Sequence, residues 1–156
     1  MRTDFDIPGT YTSLAAPQPP TSVPIISNGT LWSNEDDTMW LYGGESSATG
    51  NDSNDIWRFE PERNGGTWTA LDSTAANLSS LRPTHGAGCN VPNHATGYYL
   101  GGYLKRKETD KNSSFEPEYL HSMTVFNMNT ESTYTFSVPI YVPIIDSSLV
   151  YLNAGI

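Results

Sequence analysis

Two stretches of the chain read almost alike: "TMWLYGGE" at Thr38–Glu45 and "GYYLGGYL" at Gly97–Leu104. Each is a short run of apolar and aromatic residues that ends in two glycines. Such a run suits a strand packed on both faces. The glycines add no side-chain bulk and tolerate positive φ, so the strand can turn sharply where another backbone lies close. Two such pairs, with Gly44 and Gly102 separated by 102 − 44 = 58 residues, call for a search for internal repeats before any other reading.

A second family of segments has a similar spacing. "GTYTSL" (Gly9–Leu14), "GTWTAL" (Gly66–Leu71) and "STYTFS" (Ser132–Ser137) each set one aromatic, Tyr11, Trp68 or Tyr134, between two threonines, the alternation of a strand. Aromatic-centred strands precede them at "DIWRFEP" around Phe59 and "SMTVFNM" around Phe126, with Phe5 as the remnant of a third. Before the glycine strands come "NGTLWS" at Asn28, "HGAGCNV" at His85 and "PIYVP" at Pro139. A degenerate third glycine strand is "LVYLNAGI" at Leu149–Ile156. The order in each unit is therefore four strands: a (small residues), b (Gly-Gly), c (Phe) and d (Trp or Tyr).

Bulk properties agree with many short strands. The chain has 156 residues, 37% of them hydrophobic and 12% aromatic, which is too rich for disorder, and its 13 Gly and 11 Pro supply turns. No stretch carries the 3.6-residue periodicity of a sizeable amphipathic helix, so the class is all-β. A net charge of -9 argues against nucleic acid or an anionic membrane as partner. The one basic cluster, Lys105, Arg106 and Lys107, runs at once into Glu108 and Asp110 and reads as a solvated loop. No apolar run reaches transmembrane length, and "MRTDFDIPG" lacks the apolar centre of a signal peptide. The single cysteine, Cys89, excludes an intrachain disulfide and reads as a small buried strand residue.

Four antiparallel strands with a double glycine and a later aromatic pair, repeating at roughly 50 residues, resemble the kelch repeat of β-propellers. The resemblance covers residues 26 to 156 well and 1 to 25 poorly. It aligns Gly43, Gly44, Phe59 and Trp68, then Gly101, Gly102, Phe126 and Tyr134, with the glycine, tyrosine and tryptophan positions of the kelch motif. The wording looks most like the kelch-type propellers of fungal extracellular or membrane-anchored proteins. It implies a partial propeller: residues 1–25 close a preceding blade and linker, 26–72 and 73–138 are blades, and 139–156 begin a further one. In such a ring, large aromatics on strands c and d wedge between blades, while small residues such as Gly86, Ala87 and Gly88 crowd inward on strand a. Three blades at most do not close a ring, so the chain is expected to be a fragment of a longer propeller, or a truncated product, with open blade faces and edges.

Function is expected on the loops. The d-to-a and b-to-c connections emerge on one face of the disc and the a-to-b and c-to-d turns on the other. The b-to-c loop of the second blade, roughly 16 residues from Tyr103 to Glu118, exceeds its counterpart at Glu45–Asp55, and long loops on rigid scaffolds are common binding elements. Its candidate contact residues are Lys105, Arg106, Lys107, Phe115 and Tyr119; a tolerated surface insertion is the plain alternative. Four sequons, at Asn28, Asn51, Asn77 and Asn112, are placed by this scheme on the same face as that loop, where glycans would leave blade packing undisturbed.

Catalytic and metal constellations are thin, and neither catalytic residues nor a cofactor are assigned. His85, Ala87 and Cys89 would share a strand face, but two ligands do not make a metal site; His94 and His121 read as surface or packed polar residues. Asn51, Ser53, Asp55 and Glu62 follow a calcium-loop spacing that fails at Ile56, where the bend needs glycine. Asp36 and Asp37 in "SNEDDT" read as turn formers. Galactose oxidase carries kelch-type blades and a copper-radical site, but no residue here matches that site by position. The expectation is a non-catalytic scaffold whose partner is a protein or the remaining blades, outside the cell or at its surface, with no nucleic acid and no membrane contact by this segment. A cytoplasmic setting, a copper-radical oxidase fragment and a purely structural surface protein are the alternatives.

Overall fold

The computed structural model describes residues 23, 25–46, 56–63, 65–71, 82–104, 117–139, 143–147 and 149. The first unit forms β1 (Ile26–Ser33), β2 (Met39–Ser46), β3 (Trp57–Glu62) and β4 (Gly65–Ala70), paired in chain order as a four-stranded antiparallel sheet. The second unit repeats it with β6 (Ala87–Val91), β7 (Thr96–Leu100), β10 (Ser122–Asn127) and β11 (Ser132–Ser137). Beyond its glycine pair this second sheet continues as a short three-stranded ladder of β5 (Pro83–Thr84), β8 (Tyr103–Leu104) and β9 (Glu118–Tyr119). The two sheets are all-β blades of the expected four-strand kind. Phe5, Tyr11 and the rest of the expected preceding strands, and most of the expected third glycine strand, lie outside the described residues.

Turn chemistry holds the hairpins at one end. Asn34 closes the β1–β2 turn by accepting from the backbone N–H groups of Asp36 at 3.1 Å and Thr38 at 3.0 Å. Asp36 and Asp37 are thus turn residues, the latter with φ of 61°. Asn127 does the same for the β10–β11 turn, accepting from Asn129 N–H at 2.9 Å and Thr130 N–H at 3.0 Å. The β6–β7 turn is a 3-10 turn over Pro92–His94, with His94 exposed.

The core lies between the two blades. Trp32, Trp40, Tyr42 and Ile56 of the first blade pack on Tyr99, Phe126 and Met128 of the second. Trp32 stacks on Tyr42 and on Phe126, with ring centroids 5.1 and 5.3 Å apart, and Tyr42 meets Tyr99 edge to face at 5.3 Å. At this joint the wedge therefore comes from strands a and b of one blade and b and c of the next. Strand d takes a smaller part than expected. Trp68 pairs with Phe59 on the far face of the first blade, and Tyr134 stands 59% exposed. The first blade turns Leu31 and Met39 to that same far face, and Leu31 is 50% exposed.

Candidate functional site

The ladders define which residues are equivalent between blades. Met39 pairs with Phe59 and Gly97 with Phe126, so the two phenylalanines hold equivalent places in the two ladders. Trp68 is the partner of Phe59, but the partner of Phe126 is Thr133. Tyr134 pairs with Val125 and so lies one residue out of step with Trp68, on the opposite face of its sheet. The same ladders match Trp32 to Cys89, Thr30 to Ala87 and Leu31 to Gly88.

The paired glycines do two things. Gly43, Gly44, Gly101 and Gly102 all have positive φ, between 67° and 86°. They also sit against the next unit: a Cβ on Gly43 would lie 2.7 Å from the carbonyl oxygen of Pro83, and one on Gly101 would lie 2.7 Å from that of Ile144. Gly102 N–H donates to the Ile144 carbonyl at 2.7 Å. The bend is therefore a docking point for the following repeat. The following unit meets this bend at Ile144, just beyond the "PIYVP" segment that begins at Pro139.

Small residues in the second blade receive large ones from the first. A Cβ on Gly97 would come within 2.5 Å of the Trp32 indole, and one on Gly88 would collide with Thr30. Trp32 Nε1 donates to the Tyr98 carbonyl at 3.2 Å, and Asn90 Nδ2 donates to the Ser33 carbonyl at 2.6 Å. Arg58 reaches across to Glu131 at 2.7 Å. Burial drives the Tyr42 phenol up to about 12 against the pull of its hydrogen bond to Thr124, and burial pushes Tyr99 higher still. Both phenols are structural polar groups of a desolvated joint.

A polar cluster lies at the opposite end from the hairpin turns. His85 stacks on Tyr103 with centroids 5.0 Å apart, Tyr103 donates to Glu45 at 3.2 Å, and Tyr119 meets Tyr103 edge-on at 6.2 Å. Burial, followed by the Glu45 carboxylate, raises the Tyr103 phenol above its ordinary value. His85 has φ of 59° and precedes β6, so it does not share a strand face with Ala87 and Cys89. It turns instead to Asn28, Thr84, Glu45 and Asp146. Asp146 was not singled out in the sequence: it lies 146 − 85 = 61 residues after His85, whereas His85 lies 85 − 28 = 57 after Asn28, so the repeat spacing does not mark it. Among the described residues, no group of three His, Cys, Asp or Glu is placed to hold a metal ion. Cys89 is half-buried, and desolvation raises its thiol, which disfavours the nucleophilic thiolate.

At the turn end, Asn34, Glu35, Asp36, His94 and Asn129 line an open polar recess of about 220 Å³ between the hairpins of both blades. The a-to-b and c-to-d turns thus share one end, as the strand order requires. Of the expected loop residues, Tyr119 is 41% exposed on β9, beside the ladder from which the loop springs. Lys105, Arg106, Lys107 and Phe115 lie outside the described residues. So do the sequons Asn51, Asn77 and Asn112. Asn28 lies within strand β1 and not in a connection, because its left-handed backbone is carried inside the β1–β2 ladder.

No protein-family model matches the chain. Over 111 residues the chain is 35% identical to a Kelch repeat-containing protein of Arthroderma benhamiae, a match that takes in 64% of this chain and 16% of that protein. With two antiparallel four-stranded blades, this similarity supports a kelch-repeat segment of a β-propeller.

Proposed function

We propose that the chain is a non-catalytic stretch of a kelch-type propeller that acts as a protein-interaction scaffold within a larger secreted or membrane-anchored protein. One observation carries the binding role. Among the described residues of the first blade, strands b and c pair from Met39 to Leu41. In the second they pair from Thr96 to Leu100 and again beyond the glycine bend, Tyr103 with Tyr119 and Leu104 with Glu118. The long b-to-c loop is thus mounted on a ladder of its own, braced by Tyr103 against His85 and Glu45. A rigid mount lowers the entropy lost when a loop is captured by a partner. The larger parent is supported by the small share of the relative that the match covers.

The test is a pulldown from the native source with the 156-residue chain and with variants carrying alanine at Lys105, Arg106, Lys107, Phe115 and Tyr119. A partner recovered by the wild type and lost with the variants supports the loop; equal recovery by both removes it as the binding element. Secretion is tested separately, by the mass of the native protein before and after enzymatic removal of N-glycans. No change in mass would count against an extracellular setting.

A further inference from the structure

Asn28, His85 and Asp146 hold one place in three successive units. All three have left-handed backbones, with φ of 57°, 59° and 47°. His85 N–H donates to the Asn28 carbonyl at 3.2 Å, and Asp146 N–H donates to the His85 carbonyl at 2.8 Å, so a backbone ladder runs from unit to unit. The side chains continue the row. His85 Nε2 lies 3.0 Å from Asn28 Nδ2 and 3.9 Å from Asp146 Oδ1, so both neighbours address the same ring nitrogen.

The Asn28 carboxamide turns its nitrogen to the ring, and that orientation assigns roles to the two ring nitrogens. A carboxamide nitrogen only donates, so Nε2 accepts from Asn28 and the proton of the neutral imidazole sits on Nδ1. There it faces Thr84 Oγ1 at 3.0 Å and Glu45 Oε1 at 3.8 Å. A second proton can only go to Nε2. It turns the acceptor into a donor, which opposes the Asn28 amide and suits the Asp146 carboxylate.

We infer that His85 is a proton-operated selector between repeats: its neutral ring clasps Asn28 of the first blade, and its protonated ring releases that amide and turns to Asp146 of the third unit. The groups facing the ring are Asn28 from β1, Glu45 from β2, Thr84 from β5, Tyr103 from β8 and Asp146 from the third unit. Because Asp146 is well exposed, the choice rests on matching donor to acceptor more than on Coulomb attraction. The consequence is a small shift of grip along the ladder when the ring takes up a proton.

The experiment is a pH series of long-range proton–nitrogen NMR spectra on the 156-residue chain, following the His85 ring nitrogens and the Asn28 side-chain amide. The expected result is an Nδ1–H tautomer at high pH, then protonation of Nε2 with the Asn28 amide signals moving at the same midpoint. An Nε2–H tautomer in the neutral state, or an Asn28 amide that ignores the His85 titration, would overturn the selector. The wild-type spectra alone decide the matter, so the inference does not depend on a variant folding.

Discussion

The indole of Trp32 occupies the space that any side chain on residue 97 would need. A Cβ at Gly97 would stand 2.5 Å from the Trp32 ring, which itself stacks on Tyr42 and Phe126. One tryptophan and one glycine, on different blades, thus set the distance between two sheets.

Removing either member should loosen or jam that joint. Trp32→Ala empties a fully buried aromatic site and is expected to cost about 3–5 kcal/mol. Gly97→Ala overfills the same place and is expected to cost about 1–3 kcal/mol. The two changes should be far from additive, since the alanine at 97 enters space the indole has vacated. Urea denaturation of the two single variants and the double variant measures this, and simple additivity would refute the contact.

The bends should be intolerant of alanine for two reasons at once. Gly43→Ala and Gly101→Ala each force a side chain into the left-handed region and towards a carbonyl oxygen of the following unit. A loss of about 1–3 kcal/mol in each is expected. Gly101→Ala should also raise hydrogen exchange at Gly102, whose N–H is held by Ile144. Unchanged exchange there would mean that the bend does not dock the third unit.

Alkaline pH should unlock the joint. Tyr42 ionises at 10.0 when unfolded and at about 12 when buried, so its contribution is complete below pH 10 and is lost as pH rises through about 12. Tyr99 shifts in the same direction, again chiefly through burial. Ultraviolet titration should show some phenols resisting ionisation until the fold is lost, with stability falling between pH 10 and 12. Early, complete ionisation with the fold intact would contradict the burial of these rings.

Among the four sequons, Asn28 should carry the least glycan. Its Nδ2, the atom a glycan would modify, is engaged with His85 at 3.0 Å, and its backbone sits inside a strand. If the protein is secreted, peptide mapping after enzymatic deglycosylation should find Asn28 largely unmodified. Full occupancy at Asn28 would show that the amide is free of the histidine when the glycan is attached.

Much of this architecture was legible in the residues. Gly-Gly, the Phe positions and the turn asparagines each answer a local backbone demand, and local demands leave local signatures. The slip at Tyr134 had a signature too: nine residues separate Phe59 from Trp68, but eight separate Phe126 from Tyr134. In a period-two strand that difference reverses the face, and similarity between "GTWTAL" and "STYTFS" conceals it. The wedge of Trp32 against Gly97 was not legible, because it joins positions 65 residues apart with no shared pattern. Asp146 was hidden by the irregular spacing of the third unit, where no glycine pair marks the register.

The joints of this protein are individually cut. Trp32 in the first blade answers to Cys89 in the second, while Gly97 and Gly88 in the second answer to Met39 and Leu31 in the first. A tandem duplication of the first unit would therefore drive the Trp32 of one copy into a Met39 where the native partner is a glycine. A duplication of the second would leave Cys89 facing Gly97 across an empty gap. The two blades cannot be exchanged, and their order is written into the sizes of the residues between them.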